Sequence, residues 1–369
     1  MQKVACSLLF MAPPRCRGRE HAAGVWRERR IIVDDEPPCC GEDMEMFRAE
    51  PLCGTRSQKG LSSSTQFWPR PQQLTHIGGC ACTCDRLARS GNALDWHPSA
   101  CELPSWNART FCDALGQRIL VFVGDSTMAQ AAVATMNAVE WGTNSADRRS
   151  SSFNSSAGCA EQLKFGHSDT LVYGSLGRMS RGRPLNAVLA GFGVGTTQRR
   201  PIVVVSAGAH IIGDANFTLV LQRVNRTVSL ARFGGVSFLW RTQNPTGCGA
   251  QALEALPPDP QDEESWERVL DAERSLANKG RHAENLKRDI EARRFFEGHP
   301  RVRILDLSPL YLRVDAHVAS ERTGGRPCHG SVRAGRKPLN DCMHWCAGPA
   351  GPLGKLVPRV LLNTLLQGG

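Results

Sequence analysis

A serine hydroxyl becomes a nucleophile when a base lies within hydrogen-bond reach and a third group fixes the base's tautomer. Two stretches of this chain supply those residue types. Val121-Phe-Val-Gly-Asp-Ser126 reads as a strand that ends in Gly124-Asp125-Ser126 and passes into a helix. Glycine permits the tight turn, and the turn leaves the Ser126 hydroxyl at the carboxyl end of a sheet, above a helix N-terminus. Ligands of open α/β sheets sit in that crevice, and anions are favoured there. The Gly-x-Ser-x-Gly pattern of other strand-to-nucleophile turns is absent. Taken alone, Gly-Asp-Ser is more often a plain turn with an N-cap serine. The second stretch is Asp341-Cys-Met-His344-Trp-Cys346. An Asp three residues before a His places both on one side of a turn, so Asp341 can hold His344 Nδ1 while Nε2 faces Ser126.

Two further loops follow strand-like runs. Ser206-Ala-Gly208-Ala-His210 offers the Gly208 amide as an oxyanion donor and the His210 side chain as a second one; equally, it is a glycine turn beside a half-buried histidine. Trp240-Arg241-Thr-Gln-Asn-Pro245 offers Arg241 to clamp an acyl carrier, a sugar hydroxyl or a carboxylate, or simply to pair with a loop carbonyl. Metal is the competing chemistry. Cys342, His344 and Cys346 alternate, as do Cys80, Cys82 and Cys84. Zinc ligands usually lie two to four residues apart within a pair, so this spacing fits zinc poorly and disulfides better; no metal site is expected.

Positioning such residues takes a sheet. Short, nearly continuous apolar runs at 118–123, 201–206, 235–240 and 302–307 suit strands buried on both faces. Helical patterns at 127–140, 216–231, 263–296 and 354–366 alternate with them, which predicts a parallel α/β sheet. The charged helix at 263–296 needs only solvation on its polar face, in preference to a partner. Residues 1–90 read differently, with Pro13-Pro14, Pro37-Pro38 and several cysteines but little periodicity. They are expected to form an irregular or disulfide-pinned leader, with 91–369 as the catalytic domain.

Composition narrows the class. At 369 residues and 41% hydrophobic, the chain can bury a sizeable core, which excludes a wholly disordered protein. The net charge of +10 comes from scattered basic residues without a recognition motif, so nucleic acid is not expected as a partner. An acidic polysaccharide, or merely a solvated basic surface, explains it better. Fifteen cysteines, an odd number, leave at least one thiol free, paired between chains or removed by processing. Val4 to Ala12 has the length of a signal-peptide core but is followed at once by Pro13-Pro14 and Arg15. Three glycosylation triplets, at Asn154, Asn216 and Asn225, join the cysteines in pointing to the secretory pathway. No run is long enough for a transmembrane helix, so a membrane anchor is not evident.

The motif order resembles the SGNH (GDSL-like) hydrolases, and more narrowly the PC-esterase and trichome birefringence-like group of polysaccharide O-acetyltransferases. Four stretches carry the likeness: Trp96-His-Pro98 through Cys101-Glu-Leu-Pro104 to Phe111, Val123-Gly-Asp-Ser126, Trp240 to Pro245, and Asp341 to Cys346. Ile304-Leu-Asp-Leu and Asp315-Ala-His317 fit the segment before the last motif. The resemblance covers about residues 84–369 and implies a three-layer α/β/α fold around a central parallel sheet. It implies a Ser126, His344 and Asp341 triad; the residues expected around the oxyanion and substrate are Gly124, Asp125, Gly208, His210 and Arg241. An acyl-serine would pass its acetyl group to a glycan hydroxyl or to water in a Golgi or other secretory lumen. No bound cofactor is implied; the donor, acetyl-CoA or another acyl carrier, is a co-substrate. The chain departs from the family in several places. Thr127-Met-Ala129 stands where plant members carry a polar or basic residue, and His210 stands at the usual oxyanion Asn. Gly174 and Gly177 compete for the second-block glycine, and the plant members' anchor and cysteine-rich subdomain are not evident. A carbohydrate acetylesterase with the same triad, or an inactive glycan-binding protein of this fold, are the alternatives.

Overall fold

The computed structural model describes residues 13–28, 94–141, 159, 162–173, 184–196, 200–208, 210–211, 213–243, 282–312 and 352–368. The expected triad members Asp341 and His344, the cysteines around them, Cys80 to Cys84, Asp315, His317, Gly174, Gly177, Asn154 and the signal candidate lie outside them.

Five strands form a parallel sheet: β3 (Leu120–Gly124), β4 (Leu163–His167), β5 (Ile202–Val205), β6 (Ser237–Arg241) and β7 (Val302–Leu305), in the order β4-β3-β5-β6-β7. Strand residues alternate between two cores. Leu120, Phe122, Val204 and Leu239 face one side, while Val121, Val123, Val203 and Trp240 face the other. Burial on both faces is why β3 and β5 read as unbroken apolar runs.

Helices cover each face. On the first pack α1 (Ala108–Leu115), α2 (Ser126–Trp141) and α7 (Pro352–Gln367). On the second lie α4 (Leu185–Gly191), α5 (Asp214–Val228) and α6 (His282–Phe296), with the short α3 (Asp169–Tyr173) beside α4. The chain is therefore α/β with a central parallel sheet, and its strand and helix alternation is as the sequence implies. Strand β4 was not expected. It is an edge strand whose apolar run Leu163-Lys-Phe-Gly-His is interrupted by polar residues.

The described part of the leader is built into the domain. Strand β1 (Gly24–Glu28) pairs antiparallel with β2 (Leu94–Pro98). Cys16 is bonded to Cys101, and Asn363 and Gln367 of α7 both donate to Cys16 O. Trp96, fully buried, donates its indole N–H to His21 O at 2.7 Å. Arg359 of α7 donates to the Leu103 and Pro104 carbonyls at 3.2 Å. The Trp96 to Pro104 stretch thus acts as a seam between the N-terminal segment and the sheet domain. A second disulfide joins Cys112 to Cys159. Two disulfides among the described residues suit a secreted or lumenal protein. Among the described residues no helix is long and apolar enough to cross a membrane.

Candidate functional site

The strand order reverses direction between β3 and β5: the chain steps from β3 outward to β4, then returns to the other side of β3. In doubly wound sheets of this order, ligands bind outside the carboxyl ends of those two strands. Gly124-Asp125-Ser126 follows β3 and Ser206-Ala207-Gly208 follows β5, so the topology brings these two expected site segments together.

The turn after β3 is tightly specified. A Cβ on Gly124 would lie 2.7 Å from Met128 Cβ and 3.0 Å from Ser206 O, so only glycine lets the helix start so close to both strands. Asp125 is the capping residue of α2. Its Oδ1 accepts from Thr127 N at 2.9 Å and from Thr127 Oγ1 at 2.7 Å, as an N-cap side chain should. Ser126 is the first helical residue by its backbone, so the capping duty falls on Asp125. Asp125 is buried, and its Oδ2 has no hydrogen-bond partner among the described residues.

Arg241, at the end of β6, is fully buried. Its Nη2 donates to Thr127 Oγ1 at 2.9 Å and to Ser206 Oγ at 3.4 Å. The guanidinium therefore ties the first turn of α2 and the end of β5 to the end of β6. Burial lowers its proton affinity, and the nearby Asp125 carboxylate opposes that. Gln243, two residues on, donates from Nε2 to Ser206 Oγ at 2.6 Å and to Ala207 O at 2.5 Å. Gly208 has φ 152°, a conformation that side-chain-bearing residues rarely adopt, and a Cβ there would come within 3.0 Å of Gln243 Cδ.

Two histidines stand by this edge. His210 is half-buried beyond Gly208. His167 ends β4 in register with Gly124, and its Nδ1 is 3.9 Å from Asp169 Oδ1. Burial lowers the His167 pKa and the field of His210 adds to it, while Asp169 and Asp125 oppose. His167 belongs to no motif in the sequence. Only the parallel pairing of an unexpected edge strand brings it beside the turn.

No family model matches the chain, and no curated protein matches it either. The arrangement itself offers a helix N-terminus, a rigid glycine loop on the neighbouring strand and imidazoles at the rim. Those are the parts that bind and polarise an acyl oxygen or another anionic group.

Proposed function

We propose that the chain is a serine-nucleophile O-acetyltransferase with an SGNH-type fold, of the PC-esterase and trichome birefringence-like group, acting on glycan hydroxyls in the lumen of the secretory pathway, the Golgi above all. The observation that carries the reading is the coincidence of Gly124-Asp125-Ser126 and the Gly208 loop at the topological switch point. Neither their separation in the chain nor the sheet order was dictated by the motif itself.

In this reading Ser126 Oγ attacks the acyl carbonyl of acetyl-CoA or another acyl carrier. His344, oriented by Asp341, takes the serine proton and returns it to the leaving group. The Gly208 amide, with His210, steadies the developing oxyanion. A sugar hydroxyl then gives its proton to His344, attacks the acetyl-serine carbonyl, and Ser126 leaves with a proton regained. Arg241, being buried, braces the floor of the site.

Incubating the full-length protein with radiolabelled acetyl-CoA and oligosaccharides tests the reading. Acetylated sugar with little free acetate is expected. Acetate release alone would leave an esterase in place of the transferase. No labelling of Ser126 in folded protein by a fluorophosphonate would remove catalysis altogether and leave a glycan-binding protein. Ser126→Ala is expected to lower turnover by several orders of magnitude.

A further inference from the structure

Helix α6 sends two adjacent buried side chains to the carboxyl edge of the sheet. Arg288 donates to Gly208 O at 2.7 Å from Nη1 and to Ile211 O at 2.8 Å from Nη2, fastening two points within the loop after β5. Both oxygens of Asp289 accept from Gln243 N at 2.9 Å, and Oδ2 also accepts from Tyr311 OH at 2.7 Å. Gln243 in turn holds Ser206 and Ala207 and packs its carboxamide against Gly208. A continuous chain of short, buried hydrogen bonds therefore runs from α6 through the loop after β6 to the glycine loop beside Ser126.

We propose that Asp289 is a positioning residue of the site, setting the Gly208 loop through Gln243 so that its backbone meets an acyl group on Ser126; this rests on the serine-nucleophile reading above. The physical argument is one of leverage. A glycine with φ 152° has no side chain of its own to fix it; Arg288 holds its carbonyl, and Gln243 occupies the space where its side chain would be. Gln243 has its backbone anchored by the carboxyl group of Asp289, which is 1% exposed. The groups whose charge bears on Asp289 are Arg293 on its own helix, Asp306 and Tyr311 beyond β7, and Arg241 at the end of β6.

The test reads the rate at which a fluorophosphonate labels Ser126 in the full-length protein, located by peptide mass spectrometry and corrected for the folded fraction. Asp289→Ala and Gln243→Ala are each expected to slow labelling about 10- to 100-fold, up to the cost of a group misplaced by about 1 Å. The double variant should be no slower than the worse single one, because both changes cut the same chain. Asp289→Asn, which keeps an acceptor for Gln243 N, should restore the rate to within about threefold, on the size of one neutral hydrogen bond. Should Asp289→Ala not fold, Gln243→Glu keeps the side chain's size while replacing the Nε2 donor, and is expected to slow labelling about tenfold. Labelling that survives Ser126→Ala overturns the serine reading and this inference with it. Labelling that depends on Ser126 but is unchanged in these variants, or falls by the product of the two single losses, overturns the positioning role alone.

Discussion

Asp289 and Asp306 are buried alike, 1% and 0% exposed, and lie close enough to feel each other's charge, yet their acidities move in opposite directions. Burial pushes both carboxyls up. At Asp289 the partners are mainly neutral, the Gln243 amide and the Tyr311 hydroxyl; Arg293 offsets burial only in part, and the carboxyl rises to about 7. At Asp306 the partners are cations. Arg293 Nη2 is 2.9 Å from Oδ1 and Arg19 Nε 2.7 Å from Oδ2, and together with His21 and Ser308 they outweigh burial and hold the carboxyl well below the usual range. Burial sets the size of the penalty, and the charge of the partner decides its sign.

Breaking the ionic side of this comparison should have the largest effect. Asp306→Ala leaves Arg293 buried without its carboxylate and also loosens Arg19, so unfolding in urea should show a loss of about 3–5 kcal/mol. Next comes the pH dependence of Asp289. Its folded carboxyl keeps a proton up to about 7, whereas the unfolded chain gives it up near 4. The folded state binds the extra proton between those values, so Asp289 makes the protein less stable as pH rises from about 4 to about 7. Asp289→Asn lacks that slope, and its melting curves should gain on the wild type with rising pH by on the order of 2–4 kcal/mol, levelling off above about pH 8. Asp306 runs the other way: its contribution is complete above about pH 4 and is lost only in stronger acid. Tyr311→Phe removes one donor from Asp289, so stability at pH 8 should fall by about 1–2 kcal/mol, and the Asp289 slope should extend to higher pH. Smallest is Arg19→Ala. Its guanidinium side chain is 38% exposed, and double-mutant analysis with Asp306 should return a coupling of under about 1 kcal/mol.

The two carboxylates also mark what could be read from the chain. Asp306 sits in Ile304-Leu-Asp-Leu, a run already part of the family likeness, but nothing there names Arg19 as its partner, because 287 residues separate them. Asp289 lies in a charged helical stretch that reads as solvated. The structure turns Asn285, Arg288, Asp289 and Arg293 inward instead. Hydropathy misleads here because a helix face can be buried when its charges find partners, and partners are a property of the fold.

The amino-acid sequence by itself determined the strands that are buried on both faces, since β3 and β5 must be apolar to lie inside. It also determined the glycine turn ending in Asp125 and Ser126, because only local geometry is needed for it, and the secretory leaning, because cysteines and glycosylation triplets are compositional. Tertiary structure alone decided the rest. The pairing of β3 with β4 placed His167 against Gly124, the crossing back to β5 brought Gly208 to the same edge, and α6 buried Asp289 beneath them. Those contacts join residues that share no spacing, and their energies come from dehydration and partner charge, which exist only once the chain is folded.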